Sequence, residues 1–323
     1  MYSYAVPTLG DIRAARERIA GRVHVTPTMT STRLGDRVGV KLILKCENLQ
    51  KTGSFKVRGV LNKLAQLDPA ARERGVVTVS AGNHAQALAW GARQYGIPAT
   101  VVMYTHASPA KVEASKGYGA EVVLYGDTGM EAFARAHELE RERGLTFVHP
   151  FDDEQVCAGA GTTGLELIEQ APELDVIVIP IGGGGLIGGM LPAIKESNPR
   201  IRVYGVEPTG AAAMRRSLDE GRAITLESLS TIADGLAAPM AGELPYQMVR
   251  RYADDVVVID DSAIALGVRE LLLNSKLLAE TAGATATAAV LTRAIPFREG
   301  ERVAAIVSGG NIDFAKLCGV LNG

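Results

Sequence analysis

Short runs of Val and Ile recur along this chain, each followed by a longer, alanine-rich segment, and that alternation leaves few folds open. Parallel strands buried on both faces read as near-continuous apolar runs, and they need crossover helices to bring the chain back to the same edge. The spacing predicts a first series: strand 76–79, helix 84–95, strand 99–104, helix 109–118, strand 121–125, helix 128–143 and strand 146–148. A second series reads as helix 155–171, strand 176–180, helix 186–196, strands 201–206 and 255–259, helix 262–278 and strand 302–307. The expected fold class is therefore α/β with two open parallel sheets. The stretch before residue 75, with a helix over 9–20 and a strand over 41–45, is too small to stand alone and is expected to pack with the second series. This gives a large domain of 1–74 and 149–323 and a small domain of 75–148. The Ala/Thr/Gly-rich run 282–289 reads as a tightly packed helix.

Composition removes several classes of function. With 323 residues, 47% of them hydrophobic, the chain can bury a large core. Its formal net charge of -2 provides no excess of cations for nucleic acid or an anionic membrane. Cys46, Cys157 and Cys318 are odd in number and far apart, with no CxxC spacing, so neither a disulfide framework nor a zinc site is suggested. No apolar stretch is long enough to span a bilayer, and the first residues lack a basic segment followed by an apolar run. A soluble, cytoplasmic protein is expected.

Four turns carry the chemistry. Lys56 lies in Lys51-Thr52-Gly53-Ser54-Phe55-Lys56, where Gly53 permits a tight turn, Ser54 is placed to cap a helix, and Phe55 supplies an apolar wall. An amine in that setting has a depressed pKa and a fixed position, as a Schiff-base lysine requires; a solvated surface lysine is the alternative. Ser80-Ala81-Gly82-Asn83-His84 joins a strand to a helix, where backbone N–H groups suit a carboxylate or phosphate, or where Asn83 simply caps the helix. Gly182, Gly183, Gly184 and Gly185 follow the apolar strand and precede Leu186, a pattern that marks close backbone approach to a ligand, with phosphate the leading candidate. Gly183, Gly185 and Gly188 also satisfy GxGxxG, and Glu207 ends the next strand, so this segment alone admits a nicotinamide dehydrogenase. Ser308-Gly309-Gly310-Asn311 ends the last strand; its hydroxyl can hydrogen-bond a heteroaromatic nitrogen without bringing charge, or cap a helix.

In this order the motifs resemble the fold-type II pyridoxal-phosphate (PLP) enzymes, and more narrowly the group of serine/threonine dehydratases and serine racemases. The flanks agree: Lys45-Cys46-Glu47-Asn48-Leu49-Gln50, His149-Pro150-Phe151-Asp152-Asp153 and Ile232-Ala233-Asp234-Gly235. The resemblance spans nearly the whole chain. It implies PLP as cofactor, with Lys56 forming the Schiff base, Phe55 packed on the ring and Asn83 on the ring hydroxyl. Gly182, Gly183, Gly184, Gly185 and Leu186 would hold the phosphate, and Ser308 would face the pyridine nitrogen. Ser80, Gly82, Asn83 and His84 would receive the substrate carboxylate. A dehydrogenase leaves Lys56 and Ser308 unexplained.

The implied reaction is deaminating β-elimination of a β-hydroxy amino acid, L-threonine or L-serine, to a 2-oxo acid and ammonia, with Lys56 as the base at Cα. Racemisation is the rival. Racemases of this group place a serine just before the Gly-Asn-His turn, and here that residue is Ala81. A PLP-binding protein without turnover is the non-enzymatic alternative. The group's cation site matches at Glu207 and at the Ala211 carbonyl, but an expected acid is Ala213. Ala160 and Thr281, which follows Glu280, also depart from the group's pattern. The resemblance further implies closure of the small domain over substrate and a homo-oligomer, dimer or tetramer. The length beyond the Ser308 turn leaves no expectation of the C-terminal effector domain of long threonine dehydratases.

Overall fold

The computed structural model describes residues 6–322 and contains two sheets. The strands are β1 Thr28–Thr30, β2 Lys41–Cys46, β3 Val76–Val79, β4 Ala99–Met103, β5 Glu121–Leu124, β6 Thr146–Phe147, β7 Val176–Pro180, β8 Arg202–Pro208, β9 Asp255–Ile259 and β10 Arg302–Val307. Six form the order β1-β2-β10-β7-β8-β9, and four form the order β5-β4-β3-β6. All pairings are parallel except β1 with β2. The two-sheet α/β reading therefore holds, and β2 places the N-terminal segment inside the larger sheet, beside β10. The antiparallel edge strand β1 is an addition: with a pattern of Thr28, Met29, Thr30 it has no buried apolar run to announce it.

The predicted elements are present with small shifts at their ends, except the helix over 262–278. It is α-helical only over Asp261–Glu270; a π-turn, Leu271–Ser275, follows and Lys276 ends it at φ 58°. Local chemistry explains the clean ends elsewhere. Thr128 and Glu131 form a reciprocal capping box at the start of Gly129–Arg143, and Gly144 closes that helix in the left-handed conformation. Asp153 accepts from the N–H groups of Gln155 and Val156 to start Glu154–Gln170. The Ala/Thr/Gly-rich run forms the helix Thr281–Leu291, buried along most of its length.

The lysine turn belongs to both layers. Helix Lys56–Ala65 buries Val57, Val60, Leu61 and Leu64 in the same core as Val76, Leu88 and Val101 of the four-stranded layer. Its other side meets the helix Glu154–Gln170 through Arg58. That guanidinium is fully buried and donates from Nε to Glu47 at 2.8 Å and from Nη1 to Glu166 at 2.7 Å. Lys45 completes the set, 2.8 Å from Glu166. Breaking one partner of such a buried ionic set leaves an uncompensated charge, so the network fixes where the lysine helix begins.

Candidate active site

Every residue that the sequence nominated for cofactor or substrate lines one cavity of about 820 Å³ between the two sheets: Phe55, Lys56, Ser80, Gly82, Asn83, His84, Gly182, Gly183, Gly184, Gly185, Leu186 and Ser308. The turns that carry them lie at the C-terminal ends of β3, β7 and β10, where parallel sheets place ligand-binding crevices. The lysine turn is tied to the β10 turn: Phe55 N–H donates to the Ser308 carbonyl at 3.2 Å, and Gly310 N–H to the Gly53 carbonyl at 2.9 Å.

Lys56 opens its helix, and its Nζ donates to the Pro150 carbonyl at 2.7 Å and sits 5.2 Å from the centroid of the Phe55 ring. Burial is the dominant influence on this amine and brings its pKa down to about 8, against the opposing pull of Cys157 and Glu280. Ser54 does not cap this helix as the sequence suggested. Phe55 occupies the cap position, Ser54 is drawn into a bridge with Gly309, and its hydroxyl is buried without a partner among the described residues.

The β3 turn opens the helix Asn83–Tyr95, with Gly82 rather than Asn83 at the cap position. Ser80 Oγ accepts from Gly82 N–H at 3.1 Å, which closes the turn, while the first N–H groups of the helix have no intrahelical acceptor. His84 is buried and its Nε2 lies 3.2 Å from the Val148 carbonyl. Burial, reinforced by Lys56, pushes its pKa down to about 3, so the ring is neutral and donates to Val148. What His84 can offer a ligand is its backbone N–H and the acceptor Nδ1, which has no hydrogen-bond partner among the described residues.

The β7 turn carries Gly184 at φ 97°, and the helix Gly185–Lys195 starts there. Its free N–H groups and helix dipole point at the cavity, a ready anion site. Ser308 lies at the end of β10, buried apart from its cavity face. Glu207 is elsewhere. Its two carboxylate oxygens accept from Met214 and Arg215 N–H at 2.8 Å each; burial raises its pKa to about 8 and those two bonds oppose the rise. No group of three or more His, Cys, Asp or Glu side chains converges among the described residues. Glu207 thus holds the start of the helix Ala213–Glu220 through both carboxylate oxygens.

Sequence reasoning missed two members of the site. Glu280 and Asn311 both line the cavity and bond Asn83. The sequence gives Asn311 a place in the β10 turn but no role, and gives Glu280 only its place before Thr281. A carboxylate at the mouth of an apolar helix was the available signal.

A buried amine of depressed pKa, an anion-receptive helix start and an uncharged hydroxyl fit pyridoxal phosphate. The chain belongs to the family of pyridoxal-phosphate dependent enzymes, whose profile matches residues 19–309. It is 44% identical to an L-threonine ammonia-lyase of Thermotoga maritima over 98% of this chain and 78% of that one. The catabolic L-threonine dehydratase TdcB of Escherichia coli is 40% identical over 98% and 96% of the respective chains. Among solved structures, maize serine racemase superposes with a TM-score of 0.93 at 40% identity, covering 98% of each chain. No helix among the described residues is long and apolar enough to cross a membrane.

Proposed function

We propose that this chain is a threonine/serine ammonia-lyase, catalysing the deaminating β-elimination of L-threonine and L-serine to 2-oxo acids and ammonia. The observation that carries this reading is the convergence of Lys56, the β3 turn and the β7 turn on one cavity whose wall at position 81 is an alanine. Bound pyridoxal phosphate supplies the electron sink for charge developing at Cα. Lys56 would hold the cofactor, and its amine, buried and of lowered pKa, would take the Cα proton. The free N–H groups of the helix start at Gly185 would hold the phosphate, Asn83 would meet the ring hydroxyl, and Ser308 would meet the ring nitrogen without protonating it. Ser80, Gly82, Asn83 and His84 receive the substrate carboxylate through the turn and the first N–H groups of the helix.

Racemisation needs a second acid–base group across from Lys56, and the methyl of Ala81 neither gives nor takes a proton. The likeness to threonine ammonia-lyases supports the same choice. We further read residues 75–148 as a small domain that closes on substrate, the protein as a homo-oligomer, and its compartment as the reducing cytoplasm that suits three free cysteines. The test is incubation of the holoprotein with L-threonine, L-serine and other β-hydroxy amino acids, following 2-oxo acid, ammonia and enantiomer exchange. Oxo acid and ammonia in equal amounts are expected. Absence of oxo acid from every substrate refutes elimination, and exchange faster than elimination selects the racemase.

A further inference from the structure

Asn83 and Asn311 are held in a single hydrogen-bonded chain whose two ends fix both side-chain amides. Asn311 Nδ2 donates to the Thr52 carbonyl at 2.7 Å and to Asn83 Oδ1 at 2.8 Å. Asn83 Nδ2 donates to Glu280 Oε1 at 2.5 Å. A backbone carbonyl can only accept, so Thr52 decides which end of the Asn311 amide is nitrogen. That nitrogen requires the oxygen of Asn83, which turns the Asn83 nitrogen towards Glu280. Each amide nitrogen carries two hydrogens: Asn311 has committed both, and Asn83 has one left.

The surroundings are built for this chain of bonds. A Cβ at Gly53 would collide with the Asn311 amide, and one at Gly309 would collide with the Glu280 carboxylate and lie 3.1 Å from Asn83 Nδ2. Glu280 is itself buried, and its backbone N–H donates to the Gly309 carbonyl at 3.1 Å. Glycines of the lysine turn and of the β10 turn thus leave room for two side chains that meet on the β3 turn.

We infer that Glu280 is a positioning residue that, with Asn311, holds the Asn83 amide so that its one uncommitted N–H is left for the bound cofactor. This rests on Asn83 as a cofactor contact, and the experiment separates the two. Apparent affinity of the apoprotein for pyridoxal phosphate and the visible absorption of the holoprotein are measured for Asn83→Ala, Glu280→Ala, Glu280→Gln and the double variant Asn83→Ala/Glu280→Ala. Glu280→Ala is expected to weaken cofactor affinity about tenfold and to shift the visible band, the effect of freeing one buried hydrogen-bonded amide. Glu280→Gln keeps an acceptor oxygen and restores both. In the Asn83→Ala background, Glu280→Ala should change nothing further, whereas a merely structural role would cost as much in either background. Unchanged affinity in Glu280→Ala beside a weakened Asn83→Ala, or equal losses in both backgrounds, overturns the inference alone. Unchanged affinity in Asn83→Ala overturns the cofactor contact with it. Should Glu280→Ala fail to fold, Asn311→Ala at the other end of the chain carries the same expectation and the same refutation.

Discussion

The β7 turn and the β3 turn both end a parallel strand and open a helix onto the same cavity, yet they use glycine for opposite reasons. At the β7 turn the fold itself demands it. A Cβ on Gly183 would collide with the Phe151 ring, one on Gly184 would lie 2.6 Å from Pro245, and one on Gly185 would lie 2.9 Å from the Phe151 backbone. At the β3 turn a Cβ on Gly82 would meet nothing within 4 Å, and its φ of -150° is not left-handed. Four glycines in a row suggest close approach to a ligand, but protein atoms lie within 3.1 Å of a Cβ at every one of them. At Gly82 the absence of a side chain leaves room for something other than the chain. The β7 turn is a product of packing, and the β3 turn is an opening kept clear.

The largest effect should come from the residue on which both turns converge. Lys56→Ala is expected to abolish the visible Schiff-base absorption of the holoprotein and to lower elimination by at least about 1,000-fold, while both turns keep their shape. An unchanged absorption band would show that another amine holds the cofactor. The same amine sets a pH dependence. Only its neutral form attacks an aldehyde, so cofactor loading by the apoprotein should rise about tenfold per pH unit and level off above about 8. The unfolded chain keeps this lysine protonated to higher pH, so in the window above about 8 the apoprotein should gain stability as pH rises, until the unfolded lysine also deprotonates. Stopped-flow loading and thermal melts across that range check both signs.

Gly183→Ala tests the packing side of the comparison. Because the added methyl points into the Phe151 ring, it is expected to destabilise the apoprotein by about 1–3 kcal/mol before any cofactor is present. Denaturant melts of the apoprotein are the measurement. A loss confined to cofactor affinity, with the apoprotein untouched, would mean that this glycine serves the ligand.

How much of this was legible in the sequence follows from which interactions are local. Strand and helix positions came through because apolar runs and alternation survive in a linear reading, and the four turns came through because glycine, serine, asparagine and lysine mark them. The cap assignment at Ser54 failed because a bridge to Gly309, more than 250 residues away, took its backbone. The partner of Glu280 is out of reach of a linear reading for the same reason: Asn83 is 197 residues distant, and the carboxylate at the mouth of an apolar helix marks the position without naming what it bonds. Glu207 shows the local case: its carboxylate bonds backbone N–H groups only seven and eight residues on.

Gly82→Ala should have the smallest effect on the fold and is the sharpest test of the opening. No atom blocks the methyl, and the Ser80 bond to the Gly82 N–H does not involve a side chain at 82; the one cost is a ψ of -140°, outside the β region. Stability should therefore stay within about 1 kcal/mol of the parent, and the visible absorption of the holoprotein should be unchanged. The methyl would stand in the space read as the seat of the substrate carboxylate, so KM for L-threonine should rise, by about tenfold for one displaced charge-assisted hydrogen bond, with a smaller change in kcat. Steady-state kinetics beside a melting curve separate the outcomes. A raised KM with an intact fold keeps the two turns apart in function, whereas a destabilised protein with normal KM would make the β3 turn a packing device like its counterpart.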